Sequence, residues 1–177
     1  MKKNNLPVFP LGLVALPGTI QNLQIFEPRY ISMVRDCLKN NHGFVIVFQK
    51  SGEGNEFEIS KKGSYVEIID FNNLPNGLLG ISVKSINKVA ISDLVQLQDG
   101  LHVAEVNPLI DPEVDDQALL AEFPEISNIL NQLVKHPRVV DMPIEVDFNS
   151  ADSVAYHLAG LIPIPWSHKQ SLLEAFD

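Results

Sequence analysis

The sequence predicts an α+β fold. A mostly antiparallel β-rich lobe with one inserted helix occupies residues 1–110, and a small α-helical lobe occupies 111–177. Three observations carry this. Two hairpin dipeptides, Asn76-Gly77 and Asp99-Gly100, lie between short runs in which apolar and polar residues alternate. One helix start, at Pro28, interrupts those runs. Beyond Asp111-Pro112 the apolar residues recur every three or four positions instead of every two.

Taken in order, Leu6-Pro7-Val8-Phe9-Pro10-Leu11 is extended, and its prolines, which cannot donate to a ladder, predict an edge strand. Leu13–Leu16 continues it to a turn at Pro17-Gly18, and Gln21–Phe26 is extended again. Pro28 suits the first helical position because the N–H it lacks has no partner there. Ile31, Val34 and Leu38 give that helix an apolar face with Tyr30 and Cys37 beside it, and Asn40-Asn41-His42-Gly43 ends it. Phe44–Phe48 is a buried strand, and Ser51-Gly52-Glu53-Gly54-Asn55 a loop. Tyr65–Phe71, Leu79–Val83, Val89–Ile91 and Leu101–Val106 supply further strands around the two hairpin turns. From Asp116, Leu119, Phe123, Ile126, Leu130 and Leu133 mark an amphipathic helix that Pro124 kinks or splits. Ala151–Ala159 is a helix with Ser150 as N-cap and Gly160 as its stop. Ser167 and Gln170 have capping-box spacing for a last helix carrying Leu172, Leu173 and Phe176.

With 177 residues, 45% hydrophobic and 20% charged, the composition is that of an ordinary globular chain. The one cysteine, Cys37, can form no internal disulfide, which favours a reducing compartment. The start at Met1-Lys2-Lys3 is not followed by a continuous apolar core, and no run approaches the roughly 20 apolar residues of a membrane span. A soluble cytoplasmic protein with no membrane partner is expected. The net charge of −9 is concentrated: nine acidic residues and no Lys or Arg lie between Lys88 and Lys135. The acidic stretch 89–134 has two readings, a surface that meets a basic partner and a solvated surface that aids solubility, and we favour the second. With no basic cluster to neutralise phosphates, nucleic acid is not an expected partner.

The search for chemistry excludes more than it finds. There is no Gly-Lys dipeptide, so no phosphate-binding loop. The five histidines form no His-x-x-x-His pair, and His157 reads as a lone helical residue rather than a metal ligand. No Gly-x-Ser-x-Gly elbow is present, Cys37 falls on the apolar side of its helix, and Ser167 and Lys169 are two apart and cannot face each other. No catalytic residue, cofactor or metal is assigned, and the chain is expected not to be an enzyme.

One block is distinctive: Leu6-Pro-Val-Phe-Pro-Leu11, Leu16-Pro-Gly18, Ile25-Phe-Glu-Pro-Arg-Tyr30 and Met33-Val34. In order and spacing it resembles the opening of the Lon protease N-terminal domain family. Lys62-Gly63, Leu74-Pro-Asn-Gly77, Ala104-Glu-Val106, Ala151-Asp152 and Lys169-Gln-Ser-Leu-Leu-Glu174 resemble later positions, so the likeness spans nearly the whole chain. The resemblance implies a PUA-like pseudo-barrel packed on a helical lobe. It also implies a non-catalytic role in substrate recognition or as an adaptor, without the ATPase and Ser-Lys protease modules of full Lon proteases. The sequence departs from the family at Ser85-Ile86-Asn87-Lys88, where members often carry Gly and then Arg, so an anion contact by that arginine is not carried over.

The expected partner is protein or unfolded polypeptide, with at most a weak homo-oligomer. Candidate contacts are Glu27, Pro28 and Arg29 at the first helix and Ile164 and Trp166 in the apolar, proline-broken run Leu161–Trp166. Local explanations compete with each, and we favour them. Glu27 suits a helix N-terminus, with Arg29 pairing to a carboxylate elsewhere, and Leu161–Trp166 plugs the junction between the lobes. Two other functions stay open at this point: a PUA-like RNA-binding domain, revived by a contiguous basic face, and a small hydrolase, revived by a pocket of converging carboxylates or a Ser/His pair.

Overall fold

The computed structural model describes residues 5–51 and 57–175. Six strands form one sheet: β1 (Asn5–Leu11), β2 (Ile20–Ile25), β3 (Phe44–Ser51), β4 (Phe57–Asn73), β5 (Leu79–Gln96) and β6 (His102–Pro108). Their order is β2-β5-β4-β3-β1-β6, and a further β5–β6 pairing closes the last five into a barrel with β2 attached outside it on β5. Every pairing is antiparallel except β1 with β3, which α1 (Pro28–Asn40) helps to connect. Four helices follow: α2 (Asp116–Glu122), α3 (Pro124–Leu133), α4 (Ala151–Leu161) and α5 (Trp166–Glu174). The α+β class is as expected.

The edge assignment of Leu6–Leu11 is overturned. β1 lies between β6 and β3, but each neighbour takes a different half: Asn5–Val8 pairs with β6 and Val8–Leu11 with β3. Pro7 and Pro10 therefore each stand where one side of the strand is open, and the missing N–H costs no ladder bond. The strand also stops at Leu11. Val14, Ala15 and Leu16 leave the ladder yet are buried, because the chain here passes between the barrel and the C-terminal helices. Ala15 O accepts from Ser64 Oγ at 2.5 Å, while Val14 and Leu16 pack on Tyr156, Ala159 and Leu173.

The two long strands change partners along their length. β5 pairs with β2 through Leu79–Lys84 and with β6 through Val89–Gln96, and it breaks register between Ser92 and Val95, where Asp93 adopts a left-handed φ of 50°. Such irregularities bend a strand enough to close a small barrel. The barrel interior is filled by Val8, Val45, Val47, Val89, Ile91, Ala104 and Val106, and the other face of the same strands packs Phe9, Phe44, Ile46, Val66, Ile81 and Val83, with Leu23 and Ile25 of β2, against α1. That helix buries Tyr30, Met33, Val34 and Cys37, so its inward face is turned from the expected one and Leu38 is exposed. Tyr30 sets the rotation by stacking on Phe9 at 3.9 Å between ring centroids. Asn41, at φ 53°, ends the helix as expected.

In the C-terminal part, Pro124 does split one helix into two, and Ser150 Oγ accepts from Ser153 N–H as the N-cap of α4. Gly160 is not a stop. The helix runs through Leu161 and ends because Pro163 forces Ile162 into extended backbone, ψ 148°. Ser167 is not a cap either: α5 begins at Trp166 after Pro165, and Ser167 lies within its first turn. The helix is held to β4 instead by Gln170, whose two Nε2 N–H groups are shared among Ser60 Oγ (2.8 Å) and Lys62 O (3.1 Å) of β4 and Glu174 Oε1 (2.7 Å) of its own helix. The loop after Ser51 and the contribution of Phe176 lie outside the described residues.

Candidate functional site

The predicted contact residues fall into two groups, and no described contact joins them. At the start of α1, Arg29 does not reach a distant carboxylate. With Glu27 extended as N-cap, its carboxylate lies within reach of the guanidinium two residues on: Glu27 Oε2 accepts from Arg29 Nε at 2.9 Å. Arg29 Nη1 donates to Gly100 O at 2.7 Å, and the guanidinium lies 4.7 Å from the centre of the Tyr30 ring. Arg29 thus ties the β5–β6 turn to the helix, while Pro28 is exposed at the first helical position. In the second group, Ile164 is half-buried against the cluster of Val14, Leu16 and Tyr156. Trp166 is 42% exposed, with its ring over Lys169 Nζ at 4.5 Å.

Between the barrel and the helices sits a polar cluster that no spacing rule had brought together. Lys88, on β5, is 3% exposed. Its Nζ forms an ion pair with Asp111 and donates to Ala175 O at 2.9 Å. Burial alone pulls this ammonium down, but Asp111 and the Tyr156 hydroxyl outweigh it and hold the group above its ordinary value. Burial raises the Tyr156 hydroxyl in turn. Asp152 is also raised, first by desolvation and then by the like charges of Asp111 and Asp116. Asp116 has a structural duty, accepting from Ala151 N–H at 2.7 Å at the start of α4. A lysine held protonated is no nucleophile, so this cluster works as a fastener between β5, the Asp111 segment and α4–α5.

Two grooves meet beside it at Gly18 and His157. The larger, about 400 Å³, runs between Gly18–Asn22 on one side and Met142, Ile144 and Leu161 on the other. His157 is buried, its Nδ1 donates to Ser153 O at 2.7 Å, and its buried Nε2 has no partner among the described residues. Gly18, at φ +80°, lets the chain pass the imidazole: a Cβ there would stand 3.0 Å from His157 Cε1. Sequence reading passed over His157 because a single histidine at helical spacing carries no signal. Only the close passage of Gly18, more than a hundred residues away, gives it a setting.

The chain spans about a quarter of the length of the curated Lon proteases it matches. It is 24% identical over 185 residues to Lon protease 1 of Bacillus subtilis (strain 168), covering 99% of this chain and 23% of that protein. It is also 24% identical over 123 residues to protein cereblon of Danio rerio, covering 67% of this chain and 28% of that one. Among solved structures, a Lon N-terminal domain protein from Xanthomonas campestris superposes with a TM-score of 0.79 at 28% identity, covering 98% of this chain and 92% of that chain. The N-terminal domain of Mycobacterium avium complex Lon protease shares the fold, with a TM-score of 0.73 at 15% identity over 98% and 91% of the two chains. The model of the ATP-dependent protease La (LON) substrate-binding domain matches residues 5–177, nearly the whole sequence, and the chain belongs to that family.

Proposed function

We propose that this chain binds proteins or unfolded polypeptide in the cytoplasm, as a non-catalytic substrate-recognition or adaptor module. The observation that carries the reading, beside the family, is the number of large apolar side chains left outside on the C-terminal helices and their connections. Phe123, Ile129, Val140, Met142 and Trp166 are all exposed. Of these, Met142 lines the groove between Gly18–Asn22 and the segment before α4, where exposed apolar surface suits capture of unfolded chain. The chemistry at hand agrees. Cys37 is buried with its thiol pushed up to about 11, Lys88 is held charged, and His157 Nδ1 is committed to main chain.

The test is a titration of fluorescein-labelled β-casein, which has no stable fold, followed by anisotropy, with a folded protein of similar charge as control. Saturable binding of the casein alone is expected. Equal binding of both, or of neither, refutes the reading.

A further inference from the structure

We propose that the groove beside β2 takes an extended, uncharged stretch of polypeptide as an added strand on the outer edge of β2. The proposal rests on the binding reading above and names its site and geometry. Among the described residues, β2 has β5 as its sole neighbour in the sheet. Its sequence, Ile-Gln-Asn-Leu-Gln-Ile, contains no charge and no proline, so it lacks the usual devices that stop an edge from pairing.

The orientation of the edge follows from the backbone. Thr19 O accepts from Ser85 N–H at 2.9 Å, toward β5. Because C=O and the following N–H of one planar peptide point in opposite directions, Ile20 N–H points away from β5, and strand alternation repeats this at Asn22. The groove is lined by Gly18 and Thr19 of the preceding turn and by three consecutive strand residues, Ile20, Gln21 and Asn22. A strand presenting a face would contribute every second residue, so the groove meets the strand along its edge.

The opposite wall fixes the chemistry of the occupant. Met142, Ile144 and Leu161 offer apolar contacts, and Arg138 and His157 are the basic residues of the lining, with no carboxylate in it among the described residues. Lys84, which pairs with Ile20 across the ladder, bonds Glu145 at 3.0 Å and anchors this wall beside the strand. Main-chain bonds to a free edge with alternate side chains in an apolar wall are the ordinary form of strand addition.

The experiment uses the full chain and a short, neutral, fluorescein-labelled peptide alternating leucine and asparagine. Two further versions carry N-methyl groups on alternate residues, one on the odd set and one on the even set. An added strand bonds through one of its edges, so one methylated set should bind at least about tenfold more weakly and the other should bind like the parent. Met142→Glu, at an exposed position, should weaken the parent peptide, while Ile69→Glu, on the exposed face of β4, should not. Equal effects of the two methylated sets, or full binding by Met142→Glu, overturn the proposal. If β-casein still binds in that case, polypeptide recognition stands and lies elsewhere; if neither probe binds, both readings fall. A dimer in sedimentation equilibrium that the peptide cannot dissociate would assign the edge to a second copy and also overturn the proposal.

Discussion

Replacing Lys88 by methionine keeps most of the buried stem and removes the ammonium that fastens the barrel to the last two helices. The loss comprises the ion pair to Asp111, the bond to Ala175 O at 2.9 Å and the contact with the Tyr156 hydroxyl. Removing one partner of a buried pair generally costs about 3–5 kcal/mol, because the other charge stays behind unpaired. Asp111 retains 30% exposure of its side chain, so water can reach part of the carboxylate, and the lower end applies: about 3 kcal/mol. Urea unfolding measures it. Lys88→Met combined with Asp111→Leu, which removes both charges, should recover most of the loss. The pH dependence has a definite sign. A lysine held above its ordinary value of 10.5 contributes its stability fully below that pH and loses it as the pH rises through the folded value. The wild-type protein should therefore lose more stability in the alkaline range than Lys88→Met, in which Cys37 and Tyr156, also held above their ordinary values, still contribute their own loss. A single variant as stable as wild type, or a double variant no better than the single, would refute the reasoning.

Gly43→Ala should be severely destabilising, by about 3 kcal/mol or more in the same assay, because the new Cβ would fall 1.8 Å from Val66 O, a backbone atom that cannot rotate away. Cys37, buried and with its thiol pushed up to about 11, should resist alkylation at pH 8 until the protein is unfolded, and rapid labelling of folded protein would contradict its placement. Trp166→Ala should cost only about 1–2 kcal/mol, since much of the ring is in water and its main contact is the Lys169 ammonium. A loss of about 3–5 kcal/mol would make it a core residue after all.

Local chemistry made several elements legible in the sequence. Pro28 and Asn41 bound the first helix, Asn76-Gly77 and Asp99-Gly100 turn the hairpins, and Pro124 divides α2 from α3, because each acts through its own φ or its own missing N–H. The family was legible too, since the Leu-Pro-Gly turn and the Phe-Glu-Pro-Arg-Tyr helix start sit close together in the chain. Errors arose wherever a residue's role depends on what lies across from it. Pro7 and Pro10 suggest an edge, and only barrel closure shows two neighbours sharing one strand end to end. Gly160 and Ser167 carry local stop and cap signals, but Pro163 and Pro165 set the actual ends. The helical period placed Leu38 inward, and the stacking of Tyr30 on Phe9 turned the helix away from it. The Lys88 cluster and the groove beside β2 were out of reach altogether. They are made by residues from Gly18 to Ala175 that share no spacing, and burial, charge pairing and an open strand edge exist only once the barrel and the helices have packed.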